Sequence, residues 1–505
     1  MVDVFTRGRL ARLEPLLVGI LGAAVSLVGA GRPSFWYDEA ATISASYSRL
    51  LPALWQMLGE VDAVHGLYYV LMHGWFAIVP PTEFWARVPS GLAVGAAAAG
   101  VVVLGRQLSS RAVGVVAGVV CAILPRVTWA GIEARPYALS MMLAVWLAAV
   151  LVRAAGRESR WAWAGYGALL AVSILLDVYL VLLVLAHAVF VLVFRRRRSV
   201  VLPFAISSGV GVAVMAPFVA VVAGQAQQIS WITPIGSRTF EDVAVQQYFD
   251  RNPYFAALSA AVVLTAIGVW VFVRRPSVGE REAVVLAVAW LVIPTTLIVA
   301  YSAVREPLYT PRYLCFTAPA MALLLGVCVM AVARSAWVAT AVVVVLAVVA
   351  APTFIAGQRG PYAKYGMDYS QVADLISAKS AAGDCLLVND TVTFHPAPMR
   401  PLMAARPDAY VGLVDVSLWQ RAVDRRDVFD TNLIPEASVG PLEHCAVVWI
   451  ITQADPEAPE HEEGVAIPPG PLFGGTRAFA VSHDMGFRLV ERWQFSLAQV
   501  VKAER

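Results

Sequence analysis

Two adjacent carboxylates begin the first long polar segment of the chain. Asp38 and Glu39 lie in FWYDEA (residues 35–40), directly after an apolar run at 16–30. One interpretation makes them the acids of a helix N-terminus beside interfacial aromatic residues. The other makes a carboxylate here the general base that removes a proton from an acceptor hydroxyl. Asp38 is then the better candidate, because it lies closer to the apolar run.

A histidine, a tyrosine and an arginine follow in the same polar segment. His65 and Tyr68 belong to HGLYY (residues 65–69), and Arg87 belongs to FWARVPS (residues 84–90). A single histidine at a membrane surface is more often a structural hydrogen-bonding residue than a functional one. Arg87 stands at the edge of an apolar run, where an arginine needs an anion as its partner.

Later polar segments add two more arginines to this set. The further candidates are Glu133, Arg135 and Tyr137 in EARPYAL, Trp231 in the segment 224–253, and Arg312 and Tyr313 in REPLYTPRY. A surface ion pair between Glu133 and Arg135 would be worth little, and binding of a phospholipid headgroup is the alternative for Arg312. Taken together, the set suits the chemistry of a membrane-bound phosphate. The arginines would hold the phosphate leaving group while a carboxylate activates the incoming hydroxyl.

The elements that position these residues are membrane spans. The chain is 59% hydrophobic and only 14% charged, with a mean hydropathy of +0.69, whereas soluble domains carry about 25% charged residues. The net charge of +3 is too small to suggest nucleic-acid binding. The apolar runs predict about eleven transmembrane helices. They lie near 14–31, 90–105, 112–126, 137–152, 163–176, 178–194, 200–223, 254–273, 283–301, 313–332 and 336–355.

Charge sets the predicted orientation of these spans. Basic clusters occur at residues 7–12, 106–111, 153–160, 195–198, 274–281 and 334. All of them fall on one face if residues 161–194 form two spans that divide near Asp177 and if 66–79 is an interfacial helix. The positive-inside rule makes this face cytoplasmic. The N-terminus is then cytoplasmic, and the segments 32–89, 224–253 and 357–505 lie outside.

The sequence therefore predicts a polytopic α-helical membrane domain at 1–356 and a small extracytoplasmic α/β domain at 357–505. Strand-like apolar runs begin at Cys385 and Cys445, and an oxidising compartment would allow a disulfide between them. If the two strands are parallel neighbours, their first residues lie level with each other. The alternative is two separate buried thiols, because connectivity cannot be deduced from spacing.

The strings that carry the candidate residues resemble those of the GT-C glycosyltransferases over roughly residues 14–320. They are most similar to the protein mannosyltransferase and aminoarabinose transferase branch, and to related mannosyltransferases of GC-rich, actinobacterial bacteria. The pair Asp38-Glu39 is the most specific element, followed by RVPS at 87–90 and EARPYAL at 133–139. The chain departs from the family at His65-Gly66-Leu67, where His-Pro-Pro is usual, and at Asp177-Val178-Tyr179, where Thr-His-Tyr is usual.

The resemblance implies a GT-C membrane fold in the cytoplasmic membrane and a polyprenyl-phosphate sugar as the donor. Asp38 would be the base beside Glu39, and the sugar carbon would be inverted. No metal or other cofactor is implied, because the donor has a single phosphate. The donor-binding residues would be His65, Tyr68, Arg87, Glu133, Arg135, Tyr137, Trp231, Arg312 and Tyr313.

The sequence leaves the substrates open. Mannose is the expected sugar, with arabinose or another pentose for a cell-wall glycan as the alternative, and the acceptor is a protein, glycolipid or polysaccharide. A lipid-linked-sugar flippase is the main alternative of another class. It would need ionisable groups deep inside the spans, where His187 is the main polar residue. A non-catalytic assembly protein is a further alternative.

Overall fold

The computed structural model describes residues 2–157, 159–389 and 398–505, with side chains from residue 13 onward. The side chains of the predicted N-terminal basic cluster, Arg7, Arg9 and Arg12, therefore lie outside the described part. In chain order the α-helices are α1 (Val2–Leu27), α2 (Tyr37–Ser46), α3 (Leu51–Glu60), α4 (Gly66–Phe76), α5 (Glu83–Leu108), α6 (Arg111–Ile123), α7 (Pro125–Ala130), α8 (Tyr137–Arg157), α9 (Arg160–Leu176), α10 (Leu183–Phe194), α11 (Arg198–Gly224), α12 (Thr239–Glu241), α13 (Gln247–Phe249), α14 (Pro253–Phe272), α15 (Val278–Val304), α16 (Ala318–Val332), α17 (Ala336–Pro352), α18 (Tyr369–Lys379), α19 (Pro401–Ala405), α20 (Ala422–Arg425), α21 (Val439–Leu442) and α22 (Arg477–Asp484).

The strands all lie in the C-terminal part of the chain. They are β1 (Cys385–Val388), β2 (Val414–Asp415), β3 (Leu418–Gln420), β4 (Thr431–Asn432), β5 (Val447–Gln453), β6 (His461–Glu463), β7 (Arg488–Gln494) and β8 (Ala498–Glu504). Short 3₁₀ segments at Ala63–His65, Val178–Leu182, Ala226–Ile229 and Pro311–Thr317 connect or extend helices in the N-terminal part.

Long apolar helices dominate the described part of the chain. Seven of them are long and apolar enough to cross a membrane, and shorter apolar helices lie at Leu13–Leu27, Arg111–Ile123, Arg160–Leu176 and Val178–Phe194. Each predicted span corresponds to one of these helices. The protein is a multi-pass membrane protein. The predicted break near Asp177 is confirmed, because α9 ends at Leu176 and the Asp177 carboxylate accepts a hydrogen bond from the Tyr179 N–H (3.0 Å) to begin the next helical segment.

The chain divides into two compact units. The first contains residues 1–30, 62–68 and 87–358, and the second contains 31–61, 69–86 and 359–505. The sequence predicts a domain boundary after residue 356 and so assigns the whole segment 32–89 to the membrane domain. Most of that segment lies in the second unit instead, because α2 packs on α19 and because Arg406 binds the Glu83 carboxylate (2.7 Å).

The first unit is held together by closely approaching helices. A Cβ added at Gly326 in α16 would lie 2.5 Å from the Ala117 Cβ in α6, so this contact requires a glycine. Ion pairs join helix ends that carry the predicted basic clusters. Arg111 pairs with Glu14 (2.5 Å) and Arg195 with Glu282 (2.7 Å). The acids of α1 and α15 thus neutralise part of the charge of these clusters.

The second unit contains a mixed sheet with the order β2-β1-β5-β8-β7-β6. Strands β1 and β5 are parallel, with Cys385 opposite Val448, and β7 and β8 form an antiparallel hairpin. Cys385 and Cys445 form a disulfide with a Cα–Cα distance of 5.9 Å, so the prediction of this bond is confirmed. One face of the sheet buries an apolar core that includes Leu387, Ile450 and Val501.

Candidate active site

Two of the predicted donor-binding residues meet directly in the first unit. Arg135 donates a hydrogen bond from Nη2 to His65 Nε2 (2.6 Å), and the Arg135 side chain is buried. Because arginine has no acceptor, His65 Nε2 must be the accepting nitrogen, and the ring proton is on Nδ1. The histidine therefore orients the guanidinium of Arg135, which has four further N–H donors.

Arg312 extends this cluster along a row of aromatic rings. Its guanidinium carbon lies 4.7 Å from the Trp231 ring centroid and 5.7 Å from that of Tyr313. Tyr313 in turn stacks on Tyr179, with ring centroids 6.0 Å apart, and meets Trp231 edge to face at 6.4 Å. Contacts of this kind with ring faces restrict the guanidinium to one plane.

The polar segment 224–253 holds the polar segment 32–89 in place next to His65. Gln225 Oε1 accepts from the Ala63 N–H (2.8 Å), and Gln228 Oε1 accepts from the Asp62 N–H (3.1 Å). Asp62 has a left-handed backbone (φ 59°), which turns the chain into the short helical segment that ends at His65. The loop that carries Trp231 therefore also fixes the backbone next to His65.

The electrostatics keep His65 neutral. Burial, together with the positive charges of Arg135 and Arg312, holds the pKa of His65 well below its usual range. A third positive charge at this ring would be repelled by both guanidinium groups and would be poorly solvated. Arg135 and Arg312 therefore both favour the neutral imidazole.

The remaining predicted residues of this unit are more deeply enclosed. Arg87 is completely buried and donates from Nη1 to the Ala30 carbonyl (2.7 Å). Glu133 is also fully buried, and its backbone carbonyl accepts from Ser90 Oγ (2.5 Å). Tyr68 is buried as well, and buried Tyr137 packs on Trp129 at 5.5 Å. The role of these four residues in donor binding stays a prediction.

The predicted base is in the second unit. Asp38 lies in the first turn of α2 and is partly exposed, whereas Glu39 beside it is fully buried. The Trp36 residue that precedes the helix makes no side-chain capping bond. Asp38 is thus the more accessible acid of the pair, and its role as the base stays a prediction.

Two residues near this cluster were not among the predicted ligands. Tyr179 stacks on Tyr313, and Asp177 is a partly exposed carboxyl group whose pKa is raised to about 6, chiefly by desolvation. Both lie in the string that replaces the family's Thr-His-Tyr. The position was recognisable from that resemblance, but the aromatic stacking was not, because it depends on the approach of a segment more than one hundred residues away in sequence.

A separate group of residues has ligand atoms spaced for a metal ion. These atoms of His461, Glu463 and Glu491, on neighbouring strands of the second unit, lie within 4.8 Å of one another. His461 and Glu463 are exposed, so water competes for both. These residues are separate from the histidine–arginine cluster of the first unit.

The fold of the whole chain is similar to that of solved membrane proteins. ArnT from Cupriavidus metallidurans matches with a TM-score of 0.57 and 15% identity in its apo state, covering 96% of this chain and 97% of that one. Its complex with undecaprenyl phosphate matches with a TM-score of 0.55, 13% identity and the same coverage. An Archaeoglobus fulgidus oligosaccharyltransferase, AglB, with an inhibitory peptide and a dolichol-phosphate, has a TM-score of 0.46, 10% identity, and coverage of 86% and 69%. None of the curated proteins matches the sequence.

A family model matches part of the chain. Residues 67–222, less than a third of the sequence, match the model of the dolichyl-phosphate-mannose-protein mannosyltransferases. This match supports a glycosyltransferase of the GT-C type. The matched range includes Tyr68, Arg87, Glu133, Arg135 and Tyr137 of the predicted site, whereas His65 and Asp38 precede it.

Proposed function

We propose that this GT-C enzyme transfers a sugar from a polyprenyl-phosphate donor and that Arg135 and Arg312 bind the donor phosphate. The convergence of these two arginines around a neutral histidine is the observation that carries the proposal. Two guanidinium groups match the charge of the donor phosphate, which is a diester of charge about −1 before the reaction and becomes a monoester of charge about −2 as the bond to the sugar breaks. Their attraction is therefore stronger in the transition state than in the ground state.

The proposed reaction is a direct inverting displacement. An acceptor hydroxyl oxygen attacks the anomeric carbon, and the bond from that carbon to the phosphate oxygen breaks. The electron pair of this bond leaves with polyprenyl phosphate, and the hydroxyl proton passes to Asp38. The partial exposure of Asp38 and the complete burial of Glu39 support this choice of base. Glu39 would support the helix that carries Asp38.

The proposal also assigns the substrates and their location. Mannose is the proposed sugar, because of the mannosyltransferase model that matches residues 67–222, and a pentose is the alternative. The undecaprenyl phosphate bound by the similar ArnT structure supports a lipid-linked donor. The acceptor would be a glycan, glycolipid or protein at the outer face of the cytoplasmic membrane. Arginines in place of a divalent cation would neutralise the single phosphate, so the proposed reaction needs no metal.

Turnover by the purified protein tests this function. We expect release of polyprenyl phosphate from polyprenyl-phosphate mannose when acceptor is present, no loss of activity with a chelator, and loss of activity in Asp38→Asn. Polyprenyl-phosphate arabinose is the matched comparison for the sugar. Reconstituted vesicles test the alternative class, because a flippase would move the intact lipid across the bilayer without cleaving it. Movement without cleavage would contradict the proposal.

A further inference from the structure

The helix that carries Asp38 is enclosed on several sides by C-terminal segments of its own unit. We propose that the C-terminal domain positions the catalytic acid, with Ser370 and Phe429 as the principal positioning residues. The inference rests on the proposed role of Asp38 as the base. It gives the domain 357–505 a function in the reaction itself, which differs from substrate binding or assembly.

Ser370 fixes the chain where it enters α2. The Phe35 N–H donates to Ser370 Oγ (3.0 Å), the Ser370 N–H donates to Ser34 Oγ (3.0 Å), and the Ser34 N–H donates to the Pro361 carbonyl (2.8 Å). Ser370 Oγ then donates to the Glu83 carboxylate (2.5 Å). No side-chain N-cap hydrogen bond is formed at the start of α2. The bonds to Ser370 and Pro361 therefore take the place of the N-cap that usually fixes where a helix begins.

Aromatic contacts hold the two residues that directly precede Asp38. The Trp36 and Tyr365 rings lie 4.6 Å apart, and the Tyr37 and Phe429 rings lie 5.0 Å apart. Tyr365 has a left-handed backbone (φ 57°) and is followed by Gly366 (φ 79°). Consecutive left-handed residues are costly when one is not glycine. This turn is therefore retained by its contacts, and the stacking on Trp36 is one of them.

The end of α2 is anchored by the segment that carries Phe429. Ser44 Oγ donates to the Val428 carbonyl (2.6 Å), and Arg49 Nη2 donates to the same carbonyl (3.1 Å) and to that of Asp427. Arg49 and Ser44 are both buried. Segments of the C-terminal domain therefore contact α2 before its first turn and near its last turn.

These contacts matter because α2 cannot orient itself. It has ten residues, and isolated helices shorter than about 12–15 residues are marginal in water. A general base must lie within hydrogen-bond reach of the proton that it removes, and a displacement of about 1 Å can cost about 10²-fold in rate. Loss of one anchor should therefore lower the rate of the chemical step more than it weakens donor binding.

The test uses Phe429→Ala in the full-length protein. We expect kcat to fall about tenfold while KM for polyprenyl-phosphate mannose stays within about twofold. Phe429→Tyr keeps the ring against Tyr37 and should restore kcat. Trp419→Ala is the matched control, because Trp419 lies in the same C-terminal region but is exposed, and it should behave like the wild type. Ser370→Ala provides a second variant if Phe429→Ala does not fold.

Hydrogen exchange of the α2 amides gives a readout that does not depend on activity. We expect faster exchange in Phe429→Ala and Ser370→Ala, with the other helices unchanged. Normal α2 exchange and normal kcat in both variants would overturn the positioning role. Equal losses of activity in Phe429→Ala and Phe429→Tyr, or a rise in KM alone, would also overturn it. Faster α2 exchange together with an active Asp38→Asn protein would instead refute the proposed base.

Discussion

Two stretches of the first polar loop differ in how they are held. Residues 62–68 belong to the first unit, where His65 accepts from Arg135 and its backbone is fixed by glutamines of the second loop. Residues 31–61 belong to the second unit, where the Asp38 helix is held by hydrogen bonds to residues such as Ser370 and by aromatic contacts such as Tyr37–Phe429. The first stretch is therefore held by polar contacts that include a charged arginine, and the second by hydrogen bonds together with aromatic packing.

This difference corresponds to the two sides of the proposed reaction. A phosphate needs fixed positive charge, and charge is positioned well by a polar network in a buried place. A general base needs an accurate position and a carboxylate that the substrate can reach. Firm packing around the helix that carries it can provide the position. Each of the following changes is made in one of the two units.

The largest effect is expected from removal of the base. Asp38→Asn keeps the size of the side chain but cannot take a proton, so kcat should fall by about 10²- to 10⁴-fold. Glu39→Gln is the matched variant and should cost less, because Glu39 is fully buried. Turnover of polyprenyl-phosphate mannose is the measurement. Near-normal kcat in a well-folded Asp38→Asn protein would remove Asp38 from the mechanism.

The next largest effect concerns the stability of the second unit. The Cys385–Cys445 bond spans 60 residues of sequence, and a loop of that size should stabilise the folded state by about 4 kcal/mol in the chain-entropy model. The double variant Cys385→Ser/Cys445→Ser should therefore be cleaved faster in the second unit by limited proteolysis, with the first unit unchanged. Added reductant should accelerate cleavage of the wild type and leave the variant unaffected. If reductant has no effect on either protein, the bond contributes little.

The arginines test the first unit. Arg135→Lys and Arg312→Lys keep the charge but lose the planar fork, so each should reduce kcat/KM for the donor by about 10- to 100-fold. Arg87→Lys tests whether Arg87 binds the phosphate or only stabilises the fold, because its side chain is fully buried and donates to the Ala30 carbonyl. A supporting role predicts a lower thermal midpoint for Arg87→Lys with less change in donor kinetics. Wild-type kinetics in both Arg135→Lys and Arg312→Lys would mean that the phosphate binds elsewhere.

The smallest effect is a pH dependence of stability due to His65. Its pKa in the folded protein lies well below the usual value of 6.5, so below pH 6.5 the unfolded chain binds a proton that the folded chain does not. Acid should therefore destabilise the protein, by at most about 1.4 kcal/mol per pH unit from this group. The fall in thermal midpoint between pH 7.5 and pH 5.5 should be smaller in His65→Gln. The exposed His483→Gln is the control, and equal falls in both variants would contradict this account.

Several features follow from the sequence alone. The apolar runs predict the separate helices of the first unit, because a span needs about twenty apolar residues regardless of its neighbours. The break at Asp177 follows from charge, since both flanking arginine clusters must lie on one side. The disulfide was predictable because Cys385 and Cys445 come at the start of two apolar runs. The expected level register was wrong, since Cys385 pairs with Val448 and Cys445 lies two residues before β5, but the parallel pairing of β1 and β5 still brings the two cysteines to the same end of the sheet. These are local patterns or patterns imposed by the bilayer.

Other features depend on contacts between distant segments. Residue type and spacing do not distinguish Arg87, fully buried against a backbone carbonyl, from Arg312, which lies against Trp231 and Tyr313. They also do not reveal that one loop contributes to two units. The sequence thus determined the membrane fold and supplied the candidate residues. Only the tertiary structure decided which candidates meet, because burial and hydrogen bonding depend on the side chains that long-range packing brings together.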